Sequence, residues 1–504
     1  MANCFFNIYR CFRLNCPRFF SSKEERVRFA KYPSFQEEID LAEVSNGTVW
    51  KRDSLKGVSE INSCGDLTRR DAEGLGTKKI TEWQAAWNVT NAIQGMFIVS
   101  FPFAVLQGGY WAVFAMVLVA YICCHTGKIL VDCLYENDEN GSKVRVRDSY
   151  VDIAEHVWGK RFGGKIVNCA QIIELLMTCI LYVLLCGDLM SGSFPYGPID
   201  LSSWIMIMTT FLLPCAFLQS LRSVSWLSFW CTVAHMAINA IIIIYCFTKA
   251  AEWKWTAVQV KIDIWTFPIS LGIVVFSYTS QIFLPTLEGN LIEKGKFSCM
   301  MNWTHIAAAV FKALFSYIGF LTWGEDTQEV ITNNLPTESF KIVVNMILVI
   351  KALFSYPLPY FAVVELIETA LFQGSSKTLF PSCSDDNLSL KVWALALRIG
   401  LVLLTTLLAI FIPHFAILMG LIGSFTGTML SFVWPCCFHL KIKWSKLKWY
   451  QKGLDIGIIL LGVVFGSIGI YYSVHALSRA FRGLPTNPEK SPIPIVPKIN
   501  SGKN

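Results

Sequence analysis

Apolar runs of about 20 residues, separated by short polar loops, recur from residue 82 to residue 476, the length at which a helix crosses the ~30 Å hydrocarbon core of a bilayer. Eleven runs are predicted as spans: 82–108, 110–134, 164–192, 202–219, 225–248, 267–290, 303–323, 339–370, 392–412, 414–438 and 452–476. Between the second and third, residues 148–158 alternate apolar and polar positions at helical spacing and predict a short amphipathic helix. Residues 1–80 lack such periodicity, are polar and mixed in charge, and predict a largely disordered tail. The Pro- and Lys-rich end, 477–504, predicts a second one.

Two runs break their own pattern. The stretch 81–110 reads TEWQAAWNVTNAIQGMFIVSFPFAVLQGGY, with Asn88, Thr90, Asn91 and Gln94 leading into Gly95 and then Pro102. The stretch 267–290 reads FPISLGIVVFSYTSQIFLPTLEGN, with Ser277, Tyr278, Thr279, Ser280 and Gln281 leading to Pro285 and Gly289. Both predict helices interrupted within the membrane. Such breaks leave N–H and C=O groups bare, which is tolerated where they line a cavity or meet a ligand; helices merely kinked for packing are the bland alternative. The breaks fall in spans one and six. A five-span unit repeated once changes its orientation, so the pattern predicts an all-α multi-spanning protein with a LeuT-like 5+5 inverted repeat and an eleventh helix appended. The predicted organisation is a tail (1–80), a ten-helix core (81–438, its halves 82–248 and 267–438), a basic loop with the eleventh helix (439–476), and the 477–504 tail.

Composition agrees with this picture: 54% of the 504 residues are hydrophobic and 16% charged, against about 25% charged in soluble domains. Lys and Arg set the orientation. Loops 135–163, 220–224, 291–302, 371–391 and 439–451, with their helix ends, hold about sixteen Lys/Arg, against about four on the other side. The first side is therefore expected to be cytosolic, together with the N-terminus, while the C-terminus is expected on the opposite side with the acidic loop around Glu325, Asp326 and Glu329. The net charge of +7 follows from these loops and requires no nucleic acid. The seventeen cysteines lie mostly in apolar runs, as small hydrophobes do, and no metal-ligand spacing occurs. Cys4, Cys11 and Cys16, among aromatic and basic residues, are candidates for acylation. No phosphate loop, zincin motif or nucleophile elbow is present. The chain is read as neither an enzyme nor a cofactor protein.

Ionisable residues inside spans are functional candidates, because burying them costs several kcal/mol unless they are paired. Glu174 and Lys351 occupy the middles of spans three and eight, which correspond under the repeat, and are expected to pair or to exchange a proton. Glu288 ends the second broken helix and suits a gate. His235 in span five could titrate in an acidic compartment. Lys312, Glu365, Arg398 and His414 rank lower, each lying nearer a span end or able to reach one.

Segments WNVTNAIQGMF (87–97), CLYENDENGSKVRVRDSYVDIA (133–154), QIIELLMTCILYV (171–183), EVITNNLP (329–336), KALFSYPLPYF (351–361) and IPHFAILMGLIGS (412–424), together with 267–290, resemble the vesicular inhibitory amino acid transporters, a branch of the amino acid/auxin permease family. The likeness covers nearly all of 81–476. It implies loading of GABA and glycine from cytosol into synaptic vesicles, driven by the gradient of a vesicular proton pump, by exchange for lumenal protons or by a chloride-coupled scheme. On that scheme the backbone of Gly95, Met96 and Phe97 would meet the substrate carboxylate. Ser277, Tyr278, Thr279 and Ser280 would meet the amine, with Thr90 and Asn91 as further contacts. Proton coupling falls to Glu174 with Lys351. A proton-coupled permease for small neutral amino acids in the plasma membrane or lysosome, and an amino acid sensor signalling through its N-terminal tail, are the alternatives.

Overall fold

The computed structural model describes residues 80–484, apart from 139–141, 161, 218–221, 259, 372–391 and 413. Nearly all of the expected N-terminal tail, with Cys4, Cys11 and Cys16, and the chain beyond 484 lie outside the described residues.

The described chain is almost wholly helical. Helix α1 (Glu82–Gln94) opens on a capping box, in which the Thr81 hydroxyl accepts from Gln84 N–H at 3.4 Å and Gln84 Oε1 accepts from Thr81 N–H at 3.1 Å. It stops at Gly95, whose extended ψ of −177° ends the helical run, and the chain continues as a 3₁₀ turn, Met96–Ser100. Helix α2 (Phe101–Asp132) starts with Pro102 in its first turn and bends at Gly109. There φ is +57°, a left-handed value that glycine tolerates without steric cost. The expected first and second spans are thus one helical stretch, Glu82–Asp132, broken near 95 and bent at 109.

A small hairpin follows, β1 (Tyr135–Asn137) against β2 (Lys143–Arg145), antiparallel with Tyr135 opposite Arg145. A purely helical reading does not anticipate it. Helix α3 (Tyr150–Trp158) is the amphipathic helix, capped by Ser149. Then come α4 (Gly163–Ser193), α5 (Leu201–Leu212) and α6 (Arg222–Thr248). The second broken helix is α7 (Phe267–Tyr278) and α8 (Leu284–Gly289), with Pro285 in the first turn of α8. Helix α9 is Phe297–Trp323, and α10 (Glu338–Ser355) leads into α11 (Pro357–Leu371). Helix α12 is Val392–Phe411. Helix α13 (Phe415–Ile422) runs through two π-helical turns, Gly423–Gly427 and Met429–Val433, into α14 (Trp434–Lys443), and α15 is Trp449–Phe481.

Seven of these stretches are long and apolar enough to cross a bilayer, and three shorter apolar helices accompany them. Their outward faces carry apolar side chains such as Phe114, Ile244 and Leu460, whereas Glu174, Lys312 and Lys351 are buried. That inversion suits a hydrocarbon surround, where an exposed charge has no water to solvate it.

The interior is organised on the two broken helices. Helix α2 packs on α9 and α7, α7 on α13 and the π turn Gly423–Gly427, and α4 on α10, α11 and α12. Small residues allow the closest crossing: a Cβ on Gly423 would sit 1.9 Å from the Gly272 carbonyl oxygen, and one on Gly272 would sit 2.1 Å from that of Gly420. Backbones this close pack without side chains between them. Gly423→Ala is expected to lower the thermal midpoint of the detergent-solubilised protein by about 5 °C or more, since overpacking a tight contact costs roughly 1–3 kcal/mol. Gly453→Ala, with nothing within 4 Å, should leave it unchanged. Size-exclusion recovery after graded heating reads both.

Candidate transport site

The two breaks are tied at one end. Ile80 N–H donates to the Asn290 carbonyl at 2.8 Å and its own carbonyl accepts from Ile292 N–H at 3.1 Å, while Lys296 Nζ reaches Glu82 Oε1 at 2.6 Å. The start of α1 is therefore fastened to the end of α8, and the two half-helices are constrained to move together.

At the first break the i→i−4 ladder ends with Gly95 N–H on the Asn91 carbonyl at 3.0 Å. Around it lies a cavity of about 30 Å³, lined by Trp87, Thr90, Asn91 and Gly95 of the first broken helix, Thr232, His235 and Met236 of α6, and Lys351 of α10. That is room for water, so admitting an amino acid requires α1 or α6 to shift. Thr90, Asn91 and Gly95 thus face one cavity, whereas Met96 and Phe97 are buried outside its lining. The Phe97 ring lies 5.0 Å from Tyr182, 5.4 Å from Phe276 and 6.0 Å from Phe415, an aromatic cluster that joins four elements.

At the second break, Thr279 leaves the helical region (ψ 100°). The freed carbonyl of Ser277 accepts from Lys312 Nζ of α9 at 3.0 Å, and the Ser277 hydroxyl takes a second bond from the same ammonium at 2.9 Å. Lys312 also sits 3.7 Å over the Tyr278 ring and 5.0 Å from Phe101. Ser277 is thus engaged by a protein cation. Thr279 Oγ1 donates to the Val275 carbonyl and meets Ser431, and Gln281 links the break to Thr126 and Ser431. Among the described residues, the buried hydroxyls of Ser100, Tyr278 and Ser280 have no hydrogen-bond partner in the protein. A buried unsatisfied hydroxyl costs about 1–3 kcal/mol, so these three atoms at the two breaks are where a polar ligand would gain most.

The intramembrane charges meet partners other than those expected. Glu174 and Lys351 are not bonded to each other. The Glu174 carboxylate accepts from Thr426 Oγ1 on the first π-helical turn, and Lys351 Nζ lies 2.7 Å from His235 Nδ1. His235 Nε2 lies 3.3 Å from the Asn239 side-chain amide. A neutral imidazole accepts at one nitrogen only. With Nδ1 accepting from Lys351, Nε2–H donates, which calls for the Asn239 carbonyl oxygen, the amide atom otherwise left without a partner. The lysine ammonium is then held at the cavity wall by a neutral histidine.

Glu288 occupies a latch. Its carboxylate accepts from Tyr135 Oη at 2.5 Å and Arg145 Nη1 at 3.1 Å, and Arg145 also reaches the Pro285 carbonyl at 3.0 Å. The hairpin thus grips α8. Sequence reasoning picks Glu288 but misses Arg145 and Tyr135, which look like ordinary loop residues. Lys312, expected nearer a span end, lies well inside α9, which begins at Phe297, and is fully buried.

Residues 78–475 match the sequence profile of the transmembrane amino acid transporter protein family. The chain is 54% identical over 422 residues to a vesicular inhibitory amino acid transporter of Xenopus tropicalis, covering 83% of this chain and 80% of that one. It is 54% identical over 412 residues to the Homo sapiens protein of the same name (81% and 78%), and 48% identical over 428 residues to the vesicular GABA transporter of Caenorhabditis elegans (84% and 86%). Among solved structures, a Na⁺-coupled sialic acid symporter in a substrate-bound outward-open state aligns with TM-score 0.48 and 12% identity, over 82% of this chain and 93% of that one. A profile match spanning most of the chain, with about half of the residues identical over more than four fifths of it, means that the chain belongs to the transmembrane amino acid transporter protein family.

Proposed function

We propose that this protein loads GABA and glycine from the cytosol into vesicles, in exchange for lumenal protons supplied by a vesicular pump. The N-terminus and the basic loops are on the cytosolic side, and the C-terminus is lumenal. Identity of about half with relatives named for vesicular inhibitory amino acid and GABA transport, over more than four fifths of this chain, carries this reading. The tail over 1–80, the ten-helix core 81–438 and an eleventh helix after the basic loop at 439 remain the working organisation, with that helix running past 476 to Phe481 and the tail following it.

The site geometry supports an assignment of roles. Thr90, Asn91 and Gly95 line the cavity beside the Lys351 ammonium, which suits the substrate carboxylate. The amine end is assigned to the second break, at Thr279 and the unpartnered Ser280 hydroxyl, since the Lys312 ammonium already lies over the Tyr278 ring. GABA separates its charges by more atoms than glycine does, so a pocket with a fixed carboxylate end and a looser amine end accommodates both. Met96 and Phe97 contribute backbone and an aromatic wall. Glu174 carries the proton, because its single side-chain bond, from Thr426, is one that a neutral carboxylic acid can keep as an acceptor. His235 positions Lys351, and Glu288 gates the cytosolic end.

The test is uptake of labelled GABA and glycine into sealed vesicles, with the interior pH and the membrane potential varied independently. Uptake should require an acid interior, and Glu174→Gln should cut the proton-driven part more than about tenfold. Uptake that follows potential and chloride alone, unchanged in the variant, would overturn proton exchange and the role of Glu174.

A further inference from the structure

The loop 324–335 between α9 and α10 is held by its own polar side chains. Gln328 N–H donates to Asn334 Oδ1 at 2.9 Å, and Asn334 Nδ2 to the Asp326 carbonyl at 2.8 Å. Val330 and Ile331 are fully buried, so the loop is seated on the helices beneath it. Asn333 Nδ2 donates to Asp188 Oδ2 of α4 at 3.0 Å, and its Oδ1 accepts from Asn345 Nδ2 of α10 at 3.0 Å. Glu329 completes the seat: its Oε2 accepts the N–H of Ala416, in the first turn of α13, at 2.9 Å. Next to Ala416, Phe415 places its ring 6.0 Å from Phe97 in the first break. One carboxylate thus connects an acidic loop to the aromatic cluster around the candidate site.

We propose that Glu329 is a coupling residue on the lumenal side: it takes up a proton as the loop seats on α13, so that lumenal acidity closes the path to the broken helices. This rests on the proton-exchange reading and its orientation.

The sign follows from where the carboxyl sits. Burial, reinforced by the nearby Asp188 charge, pushes the seated Glu329 carboxyl up to about 7, against the opposing pull of the Phe415 and Ala416 N–H groups. Lifted into water, it would return to about 4.3. Between these values the seated form holds the proton and the lifted form does not, so falling pH favours seating. The protonated carboxyl still offers its carbonyl oxygen to Ala416. Of the elements packed here, α4 contributes Asp188, α10 the uncharged Asn345, and Met96–Ser100 no titratable group. His414 at the start of α13 turns its ring to Phe481 of α15, 6.5 Å away. In an exchange cycle, an empty lumen-open transporter would bind a lumenal proton on closing and so be driven back toward the cytosol-facing state.

The experiment uses the full chain in sealed vesicles and a membrane-impermeant thiol reagent applied to the loop-bearing face. Val330→Cys reports lifting, because position 330 is buried when the loop is seated; Gln328→Cys, exposed in the same loop, normalises for reagent chemistry. Normalised labelling at 330 should fall about tenfold between about pH 7.5 and pH 5.5. Adding Glu329→Gln should leave it low at both pH values. Asp188→Asn should move the midpoint to lower pH, which gives a second reading if the Gln variant folds poorly. Unchanged pH dependence in Glu329→Gln, or labelling that rises with acid, overturns the proposal. Vesicles that take up neither amino acid but keep the pH-dependent labelling would overturn the transport reading, and with it the coupling role of Glu329, while showing that its protonation seats the loop.

Discussion

Replacing Lys312 with methionine should abolish amino acid uptake while leaving most of the fold in place. Methionine keeps a flexible apolar stem of similar reach, so packing against Phe101 and Tyr278 survives in part. The ammonium does not, and with it go two hydrogen bonds to Ser277, at 3.0 and 2.9 Å, and the cation over the Tyr278 ring. The Ser277 carbonyl is one that the helix break has released from the α-helical ladder. Left without a donor in a buried site it loses about 1–3 kcal/mol, and the break can relax toward continuous helix. Uptake in vesicles is expected to fall by more than about a hundredfold, the size of effect that a misplacement of about 1 Å produces at a preorganised site. Monodisperse elution with a thermal midpoint within a few degrees of the native protein would show that the loss is local. Uptake retained within about threefold would mean that Lys312 is only a packing residue.

The second large effect concerns the latch between the hairpin and α8. Arg145→Met leaves the buried Glu288 carboxylate without its cation, at a cost of about 3–5 kcal/mol, whereas Glu288→Met leaves Arg145 paired with Asp148 at 3.3 Å and should cost less. Arg145→Met should therefore be the more poorly folded of the two single variants. The double variant, Arg145→Met with Glu288→Met, removes both charges, and its stability should recover most of that loss. Function should not recover with it. Arg145 also holds the Pro285 carbonyl and lies against Gly289, where a Cβ would come within 2.5 Å of its Nη1. The latch therefore fixes where α8 rests, and α8 is fastened through Ile80 and Lys296 to α1. Without it, the end with the basic loops should close poorly. Uptake by the double variant is expected at less than about a tenth of native despite a near-native thermal midpoint, as when a hinge or lid residue is lost. Uptake that returned together with stability would make the pair structural only.

Much of this arrangement is legible from residue order. Twenty-residue apolar runs specify membrane helices because the bilayer leaves the backbone no alternative. Polar residues beside Gly95, and the Ser-Tyr-Thr-Ser run before Pro285, announce breaks because such residues sit in lipid only when their groups are used. The cap at Thr81, the helix begun at Ser149 and the burial of Glu174 and Lys351 follow from equally local rules. The partners do not. Glu174 meets Thr426 instead of Lys351 because π-helical turns after Gly423 bring that hydroxyl to it, and nothing in the local sequence predicts a π turn. Lys351 meets His235 because α6 and α10 pack at one height, a consequence of crossing geometry. The hairpin that carries Arg145 onto Glu288 closes over a separation of 143 positions, and Glu329 reaches Ala416 over 87. Helix formation, capping and chain breaks are short-range events set by dihedral preferences and the surrounding solvent, so they can be read along the chain. Which buried charge faces which depends on helix rotation and close approach at residues such as Gly272 and Gly423, and those are settled only when the whole interior packs.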